Sequence, residues 1–163
     1  MRPGLFPEKH NMKKAILIQA IAAVLILLLV YAAVSKLLDH HLFVAQLHTH
    51  PYLKPMAGFI SWAVPLSELA VSGLLMLRST QYAGLWCAAG LLTVFTVYLS
   101  MMLLSGKDLP CSCGGIISGL SWRQHLLFNL FFIILAGIGI GLMRKRDARL
   151  EIAGYASDLP AIK

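Results

Sequence analysis

Two cysteines, Cys111 and Cys113, lie one residue apart in the stretch "LPCSCGG". A disulfide between them closes a small ring whose geometry departs from the preferred torsions and Cα separation. Strained, exposed disulfides of this kind are labile and exchange readily with other thiols. The glycines that follow allow the tight backbone that exposes the sulfur atoms. The pair therefore predicts thiol–disulfide exchange, in which one sulfur attacks or leaves and the other resolves.

Metal binding is the alternative use of the same cysteines. A second stretch, "LDHHLFVAQLHTHPYLKP", supplies imidazoles from His40, His41, His48 and His50. Thiolate and imidazole ligands suit zinc or copper, and Met101 and Met102 would suit Cu(I). Cys-x-Cys lacks the spacing of about two to four residues that is usual for zinc ligands. This spacing favours redox exchange, and the metal interpretation stays open.

The elements that must position these residues are membrane-spanning helices. The 163-residue chain is 58% hydrophobic and 13% charged, with a mean hydropathy of +0.75, whereas soluble domains are about 25% charged. Roughly 20 apolar helical residues cross a bilayer core. Four blocks are long enough, namely 15–34, 59–77, 85–104 and 126–143. The sequence predicts an all-α integral membrane protein, an antiparallel four-transmembrane-helix bundle over 15–143, with a basic lead (1–14) and a polar tail (144–163).

The basic residues predict the orientation of this bundle. Ten of the 14 lysines and arginines lie in the lead, in the tail, or in the short link after the second block. The positive-inside rule then makes both termini cytoplasmic. In a bacterial inner membrane the cysteine pair would face the periplasm, where disulfides persist. The net charge of +7 is explained by this asymmetry and indicates contact with lipid and no nucleic-acid partner.

Glu68 is the one charged residue inside the four apolar blocks. An ionisable residue near the bilayer midplane suggests a function, such as proton movement or the binding of a polar group. Lys36, at the outer end of the first block, is the expected partner because its long side chain can reach inward. A purely structural hydrogen bond to a neighbouring helix is the alternative. Lys36 and Glu68 are therefore predicted supporting residues.

Other polar and small residues recur at helical spacing within the blocks. Ser61, Pro65 and Ser72 share the face of Glu68, and His125 and Asn129 are one turn apart. Hydrogen bonds across the bundle are expected from the hydroxyl residues, and close helix contact from the glycines. The residues concerned are Thr93, Thr96 and Ser100, and Gly137 and Gly141. The third cysteine, Cys87, is expected to pack as a small apolar residue.

The chain resembles the MauE branch of the MauE/DoxX family of small four-helix membrane proteins over most of residues 20–143. The stretches that carry the resemblance are "SKLLDHHLF", "VPLSELAVSGLLML", and "PCSCGG" followed by "SWRQHLLFNLFF". The family loop typically reads Cys-x-Cys-Phe-Gly, and Gly114 stands here at the position of the phenylalanine.

The resemblance implies a role in maturing, processing or transporting the small (β) subunit of methylamine dehydrogenase, a disulfide-rich exported protein. It implies Cys111 and Cys113 as the redox pair, Lys36 and Glu68 as family-pattern polar residues, and a thioredoxin-like or disulfide-rich periplasmic partner. A chain that turns over by itself would be a thiol–disulfide oxidoreductase. No cofactor motif is evident, and a quinone in the bundle rests on analogy with the four-helix vitamin K epoxide reductase architecture.

Two further functions stay open. One is a metal-handling membrane protein that uses the loop histidines and cysteines. The other is a structural subunit of a larger membrane complex, with the glycine face of the fourth block as its interface.

Overall fold

The computed structural model describes residues 9–49, 53–104 and 122–158. These residues form α1 (Lys9–Leu38), α2 (His40–Thr49), a 3₁₀ turn (Lys54–Met56), α3 (Ala57–Met76), α4 (Gln81–Leu104) and α5 (Trp122–Asp158), with no strand among them. Four spans are long and apolar enough to cross a membrane: Met12–Leu38, Lys54–Met76, Gln81–Met101 and Arg123–Lys145. The predicted all-α membrane bundle is confirmed.

The four long helices pack in a ring in the order α1, α3, α4, α5, and α5 closes the ring against α1. Gln19 Nε2 near the start of α1 donates to Gln81 Oε1 at the start of α4 at 3.3 Å, so these two helices run parallel. The short link 77–80 makes α3 antiparallel to α4. The end of the bundle that holds this link is called the Arg78 end, and the end where α1 finishes is called the Leu38 end.

The apolar core runs along the axis of the ring. Side chains of α1 spaced three or four residues apart form one stripe, which is the pattern of a single helix face. The core residues are Ile18, Ile21, Leu25, Leu29, Val71, Leu75, Leu85, Ala88, Leu92, Phe132, Ala136 and Met143. The outer faces are apolar too, since Leu27 is 70% exposed and Ile134 is 62% exposed. Helices that are apolar all round are typical of membrane spans.

Close packing of α3 against α4 depends on Gly84. A Cβ atom at this position would lie 3.0 Å from the backbone nitrogen of Leu75. The link before it is held by the Thr80 hydroxyl, which donates to the Leu74 carbonyl at 2.8 Å. The two helices therefore form a tight hairpin at the Arg78 end.

Two expectations about helix contact are wrong. A Cβ atom added to Gly137 or Gly141 would meet nothing within 4 Å, whereas one added to Gly139 would lie 3.2 Å from Leu85 and 3.3 Å from Ile21. The hydroxyls of Thr93, Thr96 and Ser100 donate to carbonyls four residues earlier in α4 itself. A hydroxyl in a helix finds its own backbone carbonyl first, so these residues do not bridge helices.

The helices extend beyond the apolar blocks, because backbone hydrogen bonding continues where hydrophobicity stops. Lys36 consequently lies in the last turn of α1, and helix α5 continues to Asp158. The region between the first two blocks contains α2, which packs on α3 and buries Leu47. Helix α2 thereby forms a cap at the Leu38 end.

Candidate functional site

Cys111 and Cys113 lie outside the described residues, as does His50. Chain connectivity still places the two ends of their segment. Residues 105–121 join Leu104, the last residue of α4, to Trp122, the first residue of α5. Both of these residues lie at the Leu38 end of the bundle. The roles of the two cysteines stay predictions.

Lys36 and Glu68 form an ion pair between α1 and α3, as predicted. The Lys36 Nζ atom lies 2.6 Å from Glu68 Oε1, and the two side chains are 4% and 9% exposed. Lys36 Nζ also donates to the Ala32 carbonyl at 3.3 Å and lies 5.8 Å from the centre of the Phe95 ring. Ser61, Pro65 and Ser72, which share the face of Glu68, are buried with it.

An ion pair in this position is not explained by stability alone. Withdrawing two charges from water costs several kcal/mol for each ion, and apolar replacements of similar volume are often as stable or more stable. Ionisable residues within membrane spans characteristically face the bundle interior and mark functional pathways. Lys36 and Glu68 have both properties, so they are candidates for a binding or proton-handling role.

A cavity of about 230 Å³ lies beside the ion pair, in the half of the bundle nearest the Leu38 end. We call it the α1–α5 cavity. Its wall includes Lys36, Glu68, Tyr98, His125 and Asn129 as polar residues. The remainder of the wall is apolar and includes Leu29, Phe43, Val64, Leu92, Phe95 and Phe128. An apolar chamber with a few convergent polar groups is the usual form of a small-molecule site.

Three polar atoms of these wall residues are buried and have no hydrogen-bond partner in the described part of the chain: Glu68 Oε2, His125 Nδ1 and Asn129 Nδ2. Buried polar atoms in native proteins nearly always have a partner, and an unpaired one costs about 1–3 kcal/mol. The set contains a carboxylate acceptor, an amide donor and an imidazole nitrogen that donates or accepts according to its tautomer. These atoms are therefore suited to hydrogen-bond a polar group within the cavity.

His125 and Asn129 were not among the predicted site residues. They are 4% and 3% exposed and lie on one face of α5. The His125 ring lies 5.9 Å from that of Phe95 and 6.5 Å from that of Phe128. The sequence signal that could have identified them was their one-turn spacing at the start of an apolar block. What the spacing did not indicate is that this face borders the same cavity as Lys36 and Glu68.

The described histidines of α2 do not form a metal centre. The His40 ring lies 4.9 Å from that of Trp62 and 6.5 Å from that of His41, while His48 is exposed. No three metal-binding His, Cys, Asp or Glu side chains come together in the described ranges. The metal alternative also requires His50, Cys111 and Cys113, which lie outside those ranges, so it stays a prediction.

Cys87 is exposed on the outer surface of α4, so it does not pack against the other helices of the bundle. It lies in the second turn of that helix, at the Arg78 end. Its position separates it from the segment 105–121 by most of the length of α4.

The profile of the family described as "Methylamine utilisation protein MauE" matches residues 14–142. The chain belongs to the MauE family. The match extends over the greater part of all four membrane-crossing spans and includes Lys36, Glu68, His125 and Asn129. The protein is thus a multi-pass membrane protein of a MauE family implicated in methylamine utilisation. Curated proteins and solved structures include no match to it.

Proposed function

We propose that this MauE family protein carries out thiol–disulfide exchange at the outer face of the bacterial inner membrane and thereby assists the maturation of an exported protein. The observation that supports the proposal is the attachment of the Cys111–Cys113 segment. Both of its ends are anchored at the Leu38 end of the bundle, where the buried ion pair and the α1–α5 cavity also lie.

The charge of the described helix ends supports the proposed orientation. The Arg78 end carries exposed cations from the start of α1, the α3–α4 link and the later part of α5. The cations are Lys13, Arg78, Arg144 and Lys145. The Leu38 end exposes Lys54 and Arg123 and keeps Lys36 buried in its ion pair. The positive-inside rule therefore favours the Arg78 end as cytoplasmic and the Leu38 end as periplasmic.

The exchange itself transfers two electrons between two cysteine pairs. A client thiolate attacks one sulfur of the Cys111–Cys113 disulfide, breaks the S–S bond and forms a mixed disulfide, and the released thiolate takes up a proton. The second client thiolate then attacks the client sulfur of the mixed disulfide, and the protein's other cysteine leaves as a thiolate that also takes up a proton. The client gains a disulfide and the protein is left as a dithiol, so atoms and electrons balance.

The client is an exported, disulfide-rich protein or its thioredoxin-like partner. Family membership connects the chain with methylamine utilisation, and the family resemblance implies the small subunit of methylamine dehydrogenase as the client type. Departure from the family loop at Gly114 leaves the two sulfurs in place and removes a bulky ring beside them.

Thiol trapping in intact cells tests the proposal. Cells are quenched with acid and alkylated with a mass-tagged maleimide before and after reduction, in a Cys87→Ser background that leaves only the pair. We expect a mixed population of oxidised and reduced pairs, and a Cys113→Ser variant that accumulates a reducible adduct with another protein. The matched Cys111→Ser/Cys113→Ser variant should lose the adduct.

The opposite result would assign the cysteines to another role. If both thiols stay reduced, resist labelling until a chelator is added and trap no protein, redox exchange is wrong and metal binding replaces it. Labelling of spheroplasts with a membrane-impermeant maleimide tests the orientation separately. Labelling of the pair only after lysis would place the Leu38 end in the cytoplasm and refute the periplasmic assignment.

A further inference from the structure

We propose that the α1–α5 cavity binds the ring of a membrane quinone, which accepts the electrons that Cys111 and Cys113 take from their client. The electron-transfer part of this inference rests on the proposed function. The binding part rests on the cavity alone, namely on its position, its apolar wall and its unpaired polar atoms.

Position and size restrict the ligand to a small ring that is soluble in the membrane. The cavity is bounded by residues of all four membrane-crossing helices, such as Leu29, Val64, Leu92 and Phe128. Val94 lies on its wall and is also 69% exposed, so the cavity reaches the lipid-facing surface of α4. A volume of about 230 Å³ exceeds the roughly 150 Å³ of an engineered protein cavity that holds benzene. A substituted six-membered ring therefore fits, with its tail directed to the lipid.

The polar atoms suit a ring that carries two carbonyl oxygens. Asn129 Nδ2 and a protonated nitrogen of His125 are donors of the kind that a quinone carbonyl requires. On α1, which packs beside α5, the Lys36 ammonium has three N–H groups and uses two of them on Glu68 and Ala32. Donors on α5 and on α1 therefore border the same cavity, so more than one oxygen of the ring can accept a hydrogen bond.

The remaining polar and aromatic groups suit the reduced form as well. Glu68 Oε2 is a buried acceptor with no partner in the described ranges, and it can accept a hydrogen bond from a quinol hydroxyl. Phe95 and Phe128, whose rings flank that of His125, offer flat apolar surfaces for the ring. A quinone and its quinol can therefore both be held, as a turnover cycle requires.

The reaction balances without another reactant. Two S–H bonds of the reduced cysteine pair are lost and one S–S bond forms. The quinone gains two electrons and two protons and becomes a quinol with two O–H bonds. The segment that carries the cysteines enters α5 at Trp122, three residues before His125, so it is continuous in sequence with a helix that lines the cavity.

Binding is tested with the full-length protein in lipid nanodiscs and a decyl-tailed ubiquinone, with empty nanodiscs as the blank. Competition against a photoreactive azidoquinone measures affinity, and peptide mapping locates the label. We expect saturable binding that weakens about tenfold in Asn129→Leu, through loss of one hydrogen bond. Ala32→Phe fills the cavity and should abolish binding, whereas Ala83→Phe, on the exposed face of α4, should not change it.

Gel filtration and circular dichroism of the Ala32→Phe and Ala83→Phe variants show whether each is folded, so that misfolding is not mistaken for a loss of binding. Absence of saturable binding to the wild type would overturn the proposal, as would equal affinity of folded wild type and Ala32→Phe. Electron transfer is measured as the loss of quinone absorbance after addition to the reduced protein. It should require the cysteines, while the Cys111→Ser/Cys113→Ser variant should still bind quinone.

The two proposals fail separately. A trapped client adduct without quinone binding would leave thiol–disulfide exchange in place and refute the quinone. Quinone binding without a trapped adduct would support a quinone as the ligand of the cavity and refute the proposed function. Bound quinone that the reduced pair does not reduce would refute the electron-transfer step.

Discussion

Substitution of Lys36 by methionine tests the ion pair most directly, because methionine keeps a long unbranched side chain and removes only the charge. Two unit charges 2.6 Å apart, as in Lys36–Glu68, attract by about 6 kcal/mol at an effective dielectric constant of about 20. Desolvation of each ion offsets several kcal/mol of this attraction. The pair as a whole therefore contributes little to the free energy of unfolding, whereas loss of one member leaves an uncompensated buried charge.

We expect Lys36→Met to lower the free energy of unfolding by about 3–5 kcal/mol. The double variant Lys36→Met/Glu68→Met should recover most of this loss, because an apolar pair fills the same space. With the single variant Glu68→Met completing the cycle, the loss in the double variant should be smaller than the sum of the two single losses by about 3 kcal/mol or more. Unfolding in mixed detergent micelles, titrated with dodecyl sulfate and followed by far-ultraviolet circular dichroism, measures all three variants against the wild type.

Lys145→Met is the matched control, since Lys145 is exposed in α5 and the chemical change is identical. It should alter stability by no more than about 0.5 kcal/mol. A Lys36→Met effect as small as that of the control, or a coupling near zero, would refute the conclusion that this ion pair joins α1 to α3.

Three further predictions concern helix packing and use the same unfolding assay. Gly84→Ala should destabilise the protein by about 1–3 kcal/mol, because the new Cβ meets the backbone of Leu75 at 3.0 Å. Gly73→Ala, with nothing within 4 Å, should be neutral or stabilising; equal effects would contradict the close α3–α4 approach. Gly139→Leu should lower the free energy of unfolding by about 1–3 kcal/mol, because Gly139 lies against Leu85 and Ile21. Gly137→Leu should leave it almost unchanged, because Gly137 faces open space. The reverse order would show that the other face of α5 is packed. Thr80→Val should cost about 1 kcal/mol through the lost bond to the Leu74 carbonyl, and an unchanged midpoint would show that this bond does not hold the link.

Local patterns were sufficient for part of the site. Glu68 stands out because any charge in an apolar block is costly in a membrane, and Lys36 is the nearest long cation at the outer end of the first block. Their pairing could be predicted because a lysine side chain is long enough to reach inward. The extension of α1 that carries Lys36 into the bundle could not be predicted, because hydropathy marks only the apolar part of a helix.

The glycines of α5 show where local patterns are insufficient. Gly137 and Gly141 have the spacing of a helix-contact motif, yet Gly139 makes the contact. Spacing defines which residues share a face but not the rotation of the helix about its axis. That rotation is decided by all the side chains that pack at once, here including Leu85 and Ile21.

The sequence by itself determined the four membrane-crossing helices, because the thickness of the bilayer fixes how many apolar residues a span needs. It also indicated the family and singled out Cys111 and Cys113, by residue type, as candidate reactive groups. Only the tertiary structure decided that Lys36, Glu68, His125 and Asn129, which come from three different helices, line one cavity. A cavity depends on the distances and rotations of several helices together, and no periodicity within a single helix records them.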